Sequence, residues 1–135
     1  RDVLNRYVTN KKYEEYLYYI NESNIPYSLN TIIGFPFETR EMVYDTARLL
    51  YAAQGYDGIT CSKLQPYHGT ELFQLAIENK FIPKDHINSE NLLDLSGGLC
   101  GEWIIDMPEP YLQKDDVENL CKLFEIEDFE LRLLS

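Results

Sequence analysis

Basic side chains are scarce in this chain. Its 135 residues include 12 lysines and arginines against 23 aspartates and glutamates, which gives a formal net charge of -11. Proteins that bind nucleic acids usually carry a basic stripe that neutralises phosphates, and anionic membrane surfaces attract the same kind of stripe. Because the sequence supplies none, we expect neither nucleic acid nor a membrane surface as a partner.

Long apolar runs are also missing. None approaches the roughly 20 residues that a membrane-spanning helix needs, so we expect no membrane span. The hydrophobic fraction of 44% and the charged fraction of 26% are close to globular averages, and the length allows one domain with a real core. The first residue is Arg1 rather than methionine, so we expect a piece of a longer protein.

Cysteine motifs are absent too. The three cysteines, Cys61, Cys100 and Cys121, stand 39 and 21 residues apart, and no C-x-x-C or similar spacing occurs. The sequence therefore predicts no zinc or iron–sulfur ligand set, and we expect all three thiols to be structural or incidental. A reducing, cytoplasmic location is the simpler expectation, although a truncated start would hide a secretory signal.

The acidity is concentrated in the last third of the chain. Residues 1–84 hold 9 basic and 10 acidic side chains, whereas residues 85–135 hold 3 and 13. The texture also changes near Lys84, where clear periodicity gives way to glycines and prolines. We therefore predict an α/β part over 1–84 and an acidic extension, mostly helical or irregular, over 85–135.

Strand and helix patterns alternate in the first part. Apolar spacing and threonine caps predict helices over 10–22, Arg40–Gln54 and Glu71–Asn79 and strands over Tyr27–Gly34 and Gly58–Gln65. A strand, a helix and a second strand in this order predict a parallel βαβ unit. The first strand lacks clean alternation, which predicts that it is covered on both faces. For the extension, the sequence predicts a short strand, Trp103–Ile105, and a helix, Lys114–Phe124.

Two loops are candidates for a binding site, because ligands of α/β folds bind beyond the carboxyl ends of the strands. The first loop is Gly34–Thr39 and the second is Gln65–Thr70. Each turns sharply and leads into a capped helix, whose unpaired N-terminal amides attract polar groups. Two ordinary βα loops with good caps would show the same features, so the physical pattern alone leaves both interpretations open.

Taken together, the two loop sequences resemble a known enzyme superfamily. The first reads Asn30-x-Ile32-Ile33-Gly34-Phe35-Pro36-x-Glu38-Thr39 and the second reads Pro66-Tyr67-x-Gly69-Thr70-Glu71-Leu72. They resemble the later strands of radical S-adenosylmethionine enzymes, in the branch whose members often carry an N-terminal cobalamin-binding domain. Anaerobic magnesium-protoporphyrin IX monomethyl ester oxidative cyclases are the nearest pattern within it. The resemblance covers about residues 1–82 and continues weakly beyond them.

The resemblance implies a partial (β/α)₆ barrel of parallel strands, with these as its fifth and sixth. It implies a parent enzyme that cleaves S-adenosylmethionine with a [4Fe–4S] cluster to give a 5′-deoxyadenosyl radical, with cobalamin as a candidate further cofactor and a small-molecule substrate, in the manner of a tetrapyrrole oxidative cyclase. The residues implied to line the cofactor are Asn30, Ile32, Ile33, Gly34, Leu64, Gln65 and Pro66. Guesses for substrate contacts are Tyr67, His68 and Trp103.

The sequence departs from the superfamily pattern in three places. Phe37 stands where glycine is common, which leaves open whether it fills space or meets substrate. His68 stands where proline is common, and a lone loop histidine is more often simply solvated. The cluster motif C-x-x-x-C-x-x-C is absent, so we expect this chain to be inactive without the N-terminal remainder of its parent. A barrel missing its first strands would also expose a strand edge and favour self-association.

Two other functions remain open at this point. A tRNA methylthiotransferase belongs to the same superfamily but needs basic surface for RNA, which only a separate domain could supply. A non-catalytic α/β interaction module, with residues 85–135 as an acidic docking surface, belongs to a different class. The sequence upstream of the chain would discriminate between them, since three cysteines at the cluster spacing favour the enzyme.

Overall fold

The computed structural model describes residues 9–51, 56–83 and 103–124. These residues form four helices and two strands, which confirms an α/β fold. In chain order the elements are α1 (Asn10–Glu22), β1 (Tyr27–Ile33), α2 (Arg40–Tyr51), β2 (Tyr56–Lys63), α3 (Glu71–Glu78) and α4 (Lys114–Phe124). None of these helices is long and apolar enough to cross a bilayer.

Threonine side chains begin three of the helices, as the sequence predicts. The hydroxyl oxygen of Thr9 accepts a hydrogen bond from the Lys12 N–H at 3.3 Å, and Thr39 accepts from the Met42 N–H at 3.3 Å. Thr70 does the same for the Phe73 N–H at 3.2 Å. Each bond satisfies a backbone donor that has no partner within its helix, so the starts of α1, α2 and α3 are fixed locally.

The strands pair in parallel, and Leu29, Asn30, Thr31 and Ile32 lie opposite Ile59–Ser62. The expectation that β1 is covered on both faces is wrong. Its burial alternates, with Thr31 and Ile33 buried and Asn30 and Ile32 exposed, because the described helices cover only one face of the sheet. Ile32 remains 44% exposed despite its apolar side chain.

The predicted strand at Trp103–Ile105 is also wrong. This segment has no strand partner among the described residues. The N–H of the next residue, Asp106, donates instead to the Phe81 carbonyl at 2.6 Å. The run is apolar because its three side chains are 3–7% exposed in the core. A short apolar run is equally consistent with a strand and with a buried irregular segment.

One hydrophobic core spans both parts of the chain. Of the 17 buried residues in its main cluster, eight precede position 84 and nine follow position 102. The spacing of Val117, Leu120, Cys121 and Phe124 in the sequence predicts one apolar face of α4, and the burial of all four confirms it. In α3 the helical spacing of Leu72, Leu75 and Ala76 predicts one apolar face. The structure buries Ala76 of these three, together with Phe73, which the spacing does not indicate. The boundary near Lys84 lies outside the described residues. So does Gly55, whose position after the second predicted helix favours a left-handed C-terminal cap.

A surface ion-pair group joins the start of α2 to the start of α4. Arg40 Nε lies 2.8 Å from Asp116 Oδ1, and its Nη2 lies 3.5 Å from Glu109 Oε1. Desolvation acts to raise the pKa of Asp116, but hydrogen bonds from Arg40 and from the Gln113 N–H outweigh it and lower that pKa. Exposed pairs of this kind add little to the free energy of unfolding. Their role is to orient α4 relative to α2.

If the acidic part belongs to the core, truncating Leu112 must destabilise the whole fold. Leu112 is fully buried, and its N–H donates to the Glu38 carbonyl at 2.9 Å. We expect Leu112→Ala to lower the free energy of unfolding by about 2–5 kcal/mol, measured by urea denaturation. As a control, Ile25→Ala at a 63% exposed position should change it by less than about 0.5 kcal/mol. Equal effects would contradict a shared core.

Candidate functional site

The two candidate loops leave the sheet at the same edge. β1 ends at Ile33 and β2 at Lys63, and these residues lie opposite each other in the parallel register. The Leu64 N–H donates to the Ile33 carbonyl at 2.8 Å, which carries the pairing one residue further. Gly34 and Gln65 therefore start their loops side by side, as the sequence predicts for parallel strands.

Glu38 closes the first loop on itself. Its Oε1 accepts a hydrogen bond from the Gly34 N–H at 2.7 Å, and its own N–H donates to the Phe35 carbonyl at 3.0 Å. Burial raises the pKa of the Glu38 carboxyl above its ordinary value, and hydrogen bonds from the backbone of Gly34 and Phe35 offset part of that rise. In the sequence, Glu38 stands out only as part of the first loop motif. An acidic side chain four residues after a loop glycine was the available signal.

Trp103 occupies the space beside Gly34. Its indole N–H donates to the Gly34 carbonyl at 3.1 Å, and a Cβ at Gly34 would lie 2.4 Å from the indole nitrogen. The φ of Gly34 is +93°, a conformation that other residues adopt only at a cost. Glycine is therefore required here for the tryptophan, and this side of the loop is closed to a ligand. Trp103 itself is 3% exposed, so its guessed contact with substrate does not match its position.

Phe37 fills space in the core. Its ring packs edge to face on Phe81 at 5.2 Å and on Tyr111 at 5.5 Å. Its φ is +67°, a region in which glycine is the least strained residue. The aromatic contacts with Phe81 and Tyr111 offset the strain of a phenylalanine in this conformation. Of the two roles left open for Phe37, the structure supports the filling of space.

The sheet face opposite the core is polar and open among the described residues. Asn30 and Thr60 are exposed on it and face each other across the two strands. The Thr60 hydroxyl donates to Asn30 Oδ1. Ile32, 44% exposed, and Ser62 form the next row toward the loops. We call Asn30, Ile32, Thr60 and Ser62 the open face.

The predicted cofactor residues divide between two environments. Asn30 and Ile32 belong to the open face. The side chains of Ile33 and Leu64 lie in the hydrophobic core at 1% and 7% exposure, so neither is presented to a ligand. The remaining three, Gly34, Gln65 and Pro66, are buried at the carboxyl edge of the sheet. The structure thus brings the seven residues to one edge but exposes the side chains of only two.

Tyr67 and His68 lie on the outside of the second loop. Tyr67 is 59% exposed, and its carbonyl accepts a bond of 2.7 Å from the Thr70 hydroxyl. The His68 ring lies 4.9 Å from the Phe73 ring, tilted by 37°. Both side chains are accessible to a ligand, and His68 also covers the first turn of α3.

No metal site is evident in the part of the chain that the structure describes. Residues 9–51, 56–83 and 103–124 contain no group of three or more histidine, cysteine, aspartate or glutamate side chains placed to hold an ion. These residues therefore provide no ligand set for an iron–sulfur cluster, and no catalytic step through one is derived from them.

Comparisons with known proteins identify no relative of this chain. No protein-family model matches the chain, and neither curated proteins nor solved structures gave a significant match.

The raised pKa of Glu38 predicts how its replacement changes the pH dependence of stability. Above the ordinary value of 4.5 the unfolded state loses this proton before the folded state does, so Glu38 makes the fold less stable as pH rises. Glu38→Gln keeps an acceptor for the Gly34 N–H but does not titrate. We expect its stability relative to the wild type to rise between about pH 4 and pH 7. Urea denaturation of both proteins across this range checks the sign, and a relative stability that falls with pH would refute it.

Alanine substitutions at two glycines with positive φ distinguish the cost of backbone strain from the cost of crowding by Trp103. Gly69 has a φ of +84° with nothing within 4 Å of an added Cβ, whereas Gly34 has the indole at 2.4 Å. An alanine at either site costs about 1–2 kcal/mol from its backbone, and overpacking adds about 1–3 kcal/mol at Gly34 only. Gly34→Ala should therefore be the more destabilising by about that second amount, as measured by chemical denaturation. Equal losses would show that Trp103 does not close this side of the loop.

Proposed function

We propose that this chain forms the S-adenosylmethionine-binding edge of a radical S-adenosylmethionine enzyme, as the fifth and sixth strands of a partial (β/α)₆ barrel. The observation that carries the proposal is the one-sided β1–α2–β2 unit. Its buried side chains face the described helices, while Asn30, Ile32, Thr60 and Ser62 face away from them.

A barrel sector has this distribution of side chains. In (β/α) barrels, alternate residues of each strand point to the helices and to the interior. In the described residues each strand has one strand neighbour, because the sheet has the order β1–β2. The unpaired outer edges of β1 and β2 suit the addition of further strands from the rest of a parent protein. The same arrangement makes the open face the interior of the completed barrel.

The open face offers groups suited to the adenosyl end of the cofactor. Asn30 supplies amide donors and an acceptor, Thr60 supplies a hydroxyl, and Ile32 supplies apolar surface for the adenine ring. Trp103 closes the opposite side of Gly34, so a ligand must approach Gly34 from the side of the open face. Bound with a reduced cluster in the parent enzyme, S-adenosylmethionine would supply radical chemistry at its adenosyl end. The residues of this chain bind and orient it.

The buried members of the predicted set act by positioning. Ile33 and Leu64 join the two strand ends through the 2.8 Å bond, and Glu38 fixes the loop that follows Gly34 at 2.7 Å. A rigid edge holds the exposed pair of Asn30 and Thr60 in place, which is what a precise binding site requires. Cobalamin and the cluster would be held by other parts of the parent enzyme, and the exposed side chains of Tyr67 and His68 are placed to contact the substrate.

Titration of the ¹⁵N-labelled chain with S-adenosylmethionine tests the proposal. We expect saturable shifts in the amide signals of 30–34 and 60–65, at millimolar affinity because only part of the site is present. Asn30→Ala should weaken binding about fivefold, which corresponds to about 1 kcal/mol for one hydrogen bond. Asn119→Ala removes the same side chain from an exposed position of α4 and should leave the affinity unchanged.

Two outcomes would overturn the assignment, and a third would change the proposed member of the superfamily. Shifts confined to residues away from the two strands would remove the open face as the cofactor site. No saturable shift at any concentration would favour the non-catalytic interaction module. Binding of tRNA that is tight and salt-dependent would favour the methylthiotransferase instead.

A further inference from the structure

Two thiols from distant parts of the chain meet between β2 and α4. Cys61 Sγ lies 3.3 Å from Cys121 Sγ, although the two residues are 60 positions apart. No disulfide joins them in the structure. The sequence predicts structural or incidental roles for both, and neither belongs to the open face, so their juxtaposition has no part in the proposed cofactor site.

A second contact fixes the position of the thiols. Lys63 Nζ forms an ion pair with Glu118 Oε1. Lys63 follows Cys61 by two residues, on the same face of β2, and Cys121 follows Glu118 by three residues, on the same side of α4. The two contacts therefore join one face of β2 to one side of α4 at successive positions. This arrangement resists sliding of the helix along the strand and keeps the two sulfur atoms together.

The two cysteines differ in accessibility. Cys61 is partly exposed, whereas Cys121 is 7% exposed and packs within the core cluster. A small reagent therefore reaches Cys61 first. Once Cys61 is modified, Cys121 is the thiol best placed to displace the modifying group. A more accessible attacking thiol beside a sheltered resolving thiol is the usual arrangement in redox-active pairs.

We propose that Cys61 and Cys121 are a redox pair that forms an internal disulfide by exchange with a low-molecular-weight disulfide such as oxidised glutathione. The Cys61 thiolate attacks one sulfur of that disulfide, which releases one small thiol and leaves a mixed disulfide on Cys61. The Cys121 thiolate then attacks Cys61 Sγ and releases the second small thiol. The protein loses two electrons and two protons, and the small disulfide gains them.

A disulfide between Cys61 and Cys121 would need a small movement of the sulfur atoms and would link α4 to β2. A disulfide bond is about 2.05 Å long, so the sulfur atoms must approach by about 1.3 Å. The bond would join α4, which lies in the acidic C-terminal part, to the strand that leads into Leu64, Gln65 and Pro66. Closing a loop of this length restricts the unfolded chain, so the oxidised protein should melt at a higher temperature than the reduced protein.

Intact-mass analysis after incubation with oxidised glutathione tests the pair. The Cys100→Ser variant removes the third thiol and serves as the parent for all measurements. We expect the mass of this variant to fall by that of two hydrogen atoms, with no glutathione adduct. Tryptic digestion should then give a pair of peptides joined by a disulfide between Cys61 and Cys121. The melting temperature of the variant should rise on oxidation and return on reduction. A stable glutathione adduct, or no change in mass, would overturn the proposal.

Single substitutions in that parent test the order of attack. Cys121→Ser leaves no resolving thiol, so a glutathione adduct should accumulate on Cys61. Cys61→Ser leaves only the sheltered thiol, and we expect it to react at least tenfold more slowly, which reflects its burial. Equal reaction rates in the two variants would contradict the assigned order. The mass change of the parent remains decisive if either variant fails to fold.

Discussion

The packing of Trp103 against Gly34 is the contact on which the rest of the structure depends. It joins a residue of the acidic C-terminal part to the end of β1 across 69 positions of sequence. It requires the glycine, fixes where the first loop turns, and fills the space on the core side of that turn. Since the core side of this strand end is filled in this way, a ligand at the strand end must approach from the opposite face of the sheet.

The packing of the C-terminal part into the core also bears on how the net charge is distributed. The acidic side chains of the C-terminal part accompany a set of core residues that includes Leu112, Val117 and Phe124. Acidic residues such as Asp115 and Asp116 occupy the first turn of α4, where they complement the helix dipole. Within residues 103–124 the acidic side chains thus lie on the solvated side of a segment whose apolar side completes the core.

Sequence reasoning succeeded where structure is determined locally. Threonine caps and the spacing of apolar residues located the helices, and strand–helix–strand order predicted the parallel pair. It failed where distant partners decide the outcome. The coverage of β1 depends on which helices reach it, and the burial of Phe73, which the apolar spacing of α3 does not indicate, depends on the core around that helix. Trp103 looked like part of a strand because its partner, Gly34, is remote in sequence.

For the candidate site, the loops and their shared edge could be predicted, but the exposure of each side chain could not. Alternation along β1 places Asn30 and Ile32 on one face and Ile33 on the other, and only the packing decides which face is open. The central claim is that the open face receives the adenosyl group. Photolabelling with an azidoadenosyl analogue of S-adenosylmethionine, followed by peptide mapping, tests it most directly. The account predicts labels on Asn30, Ile32, Thr60 or Ser62, and labels confined to Trp103 or to α1 would contradict it.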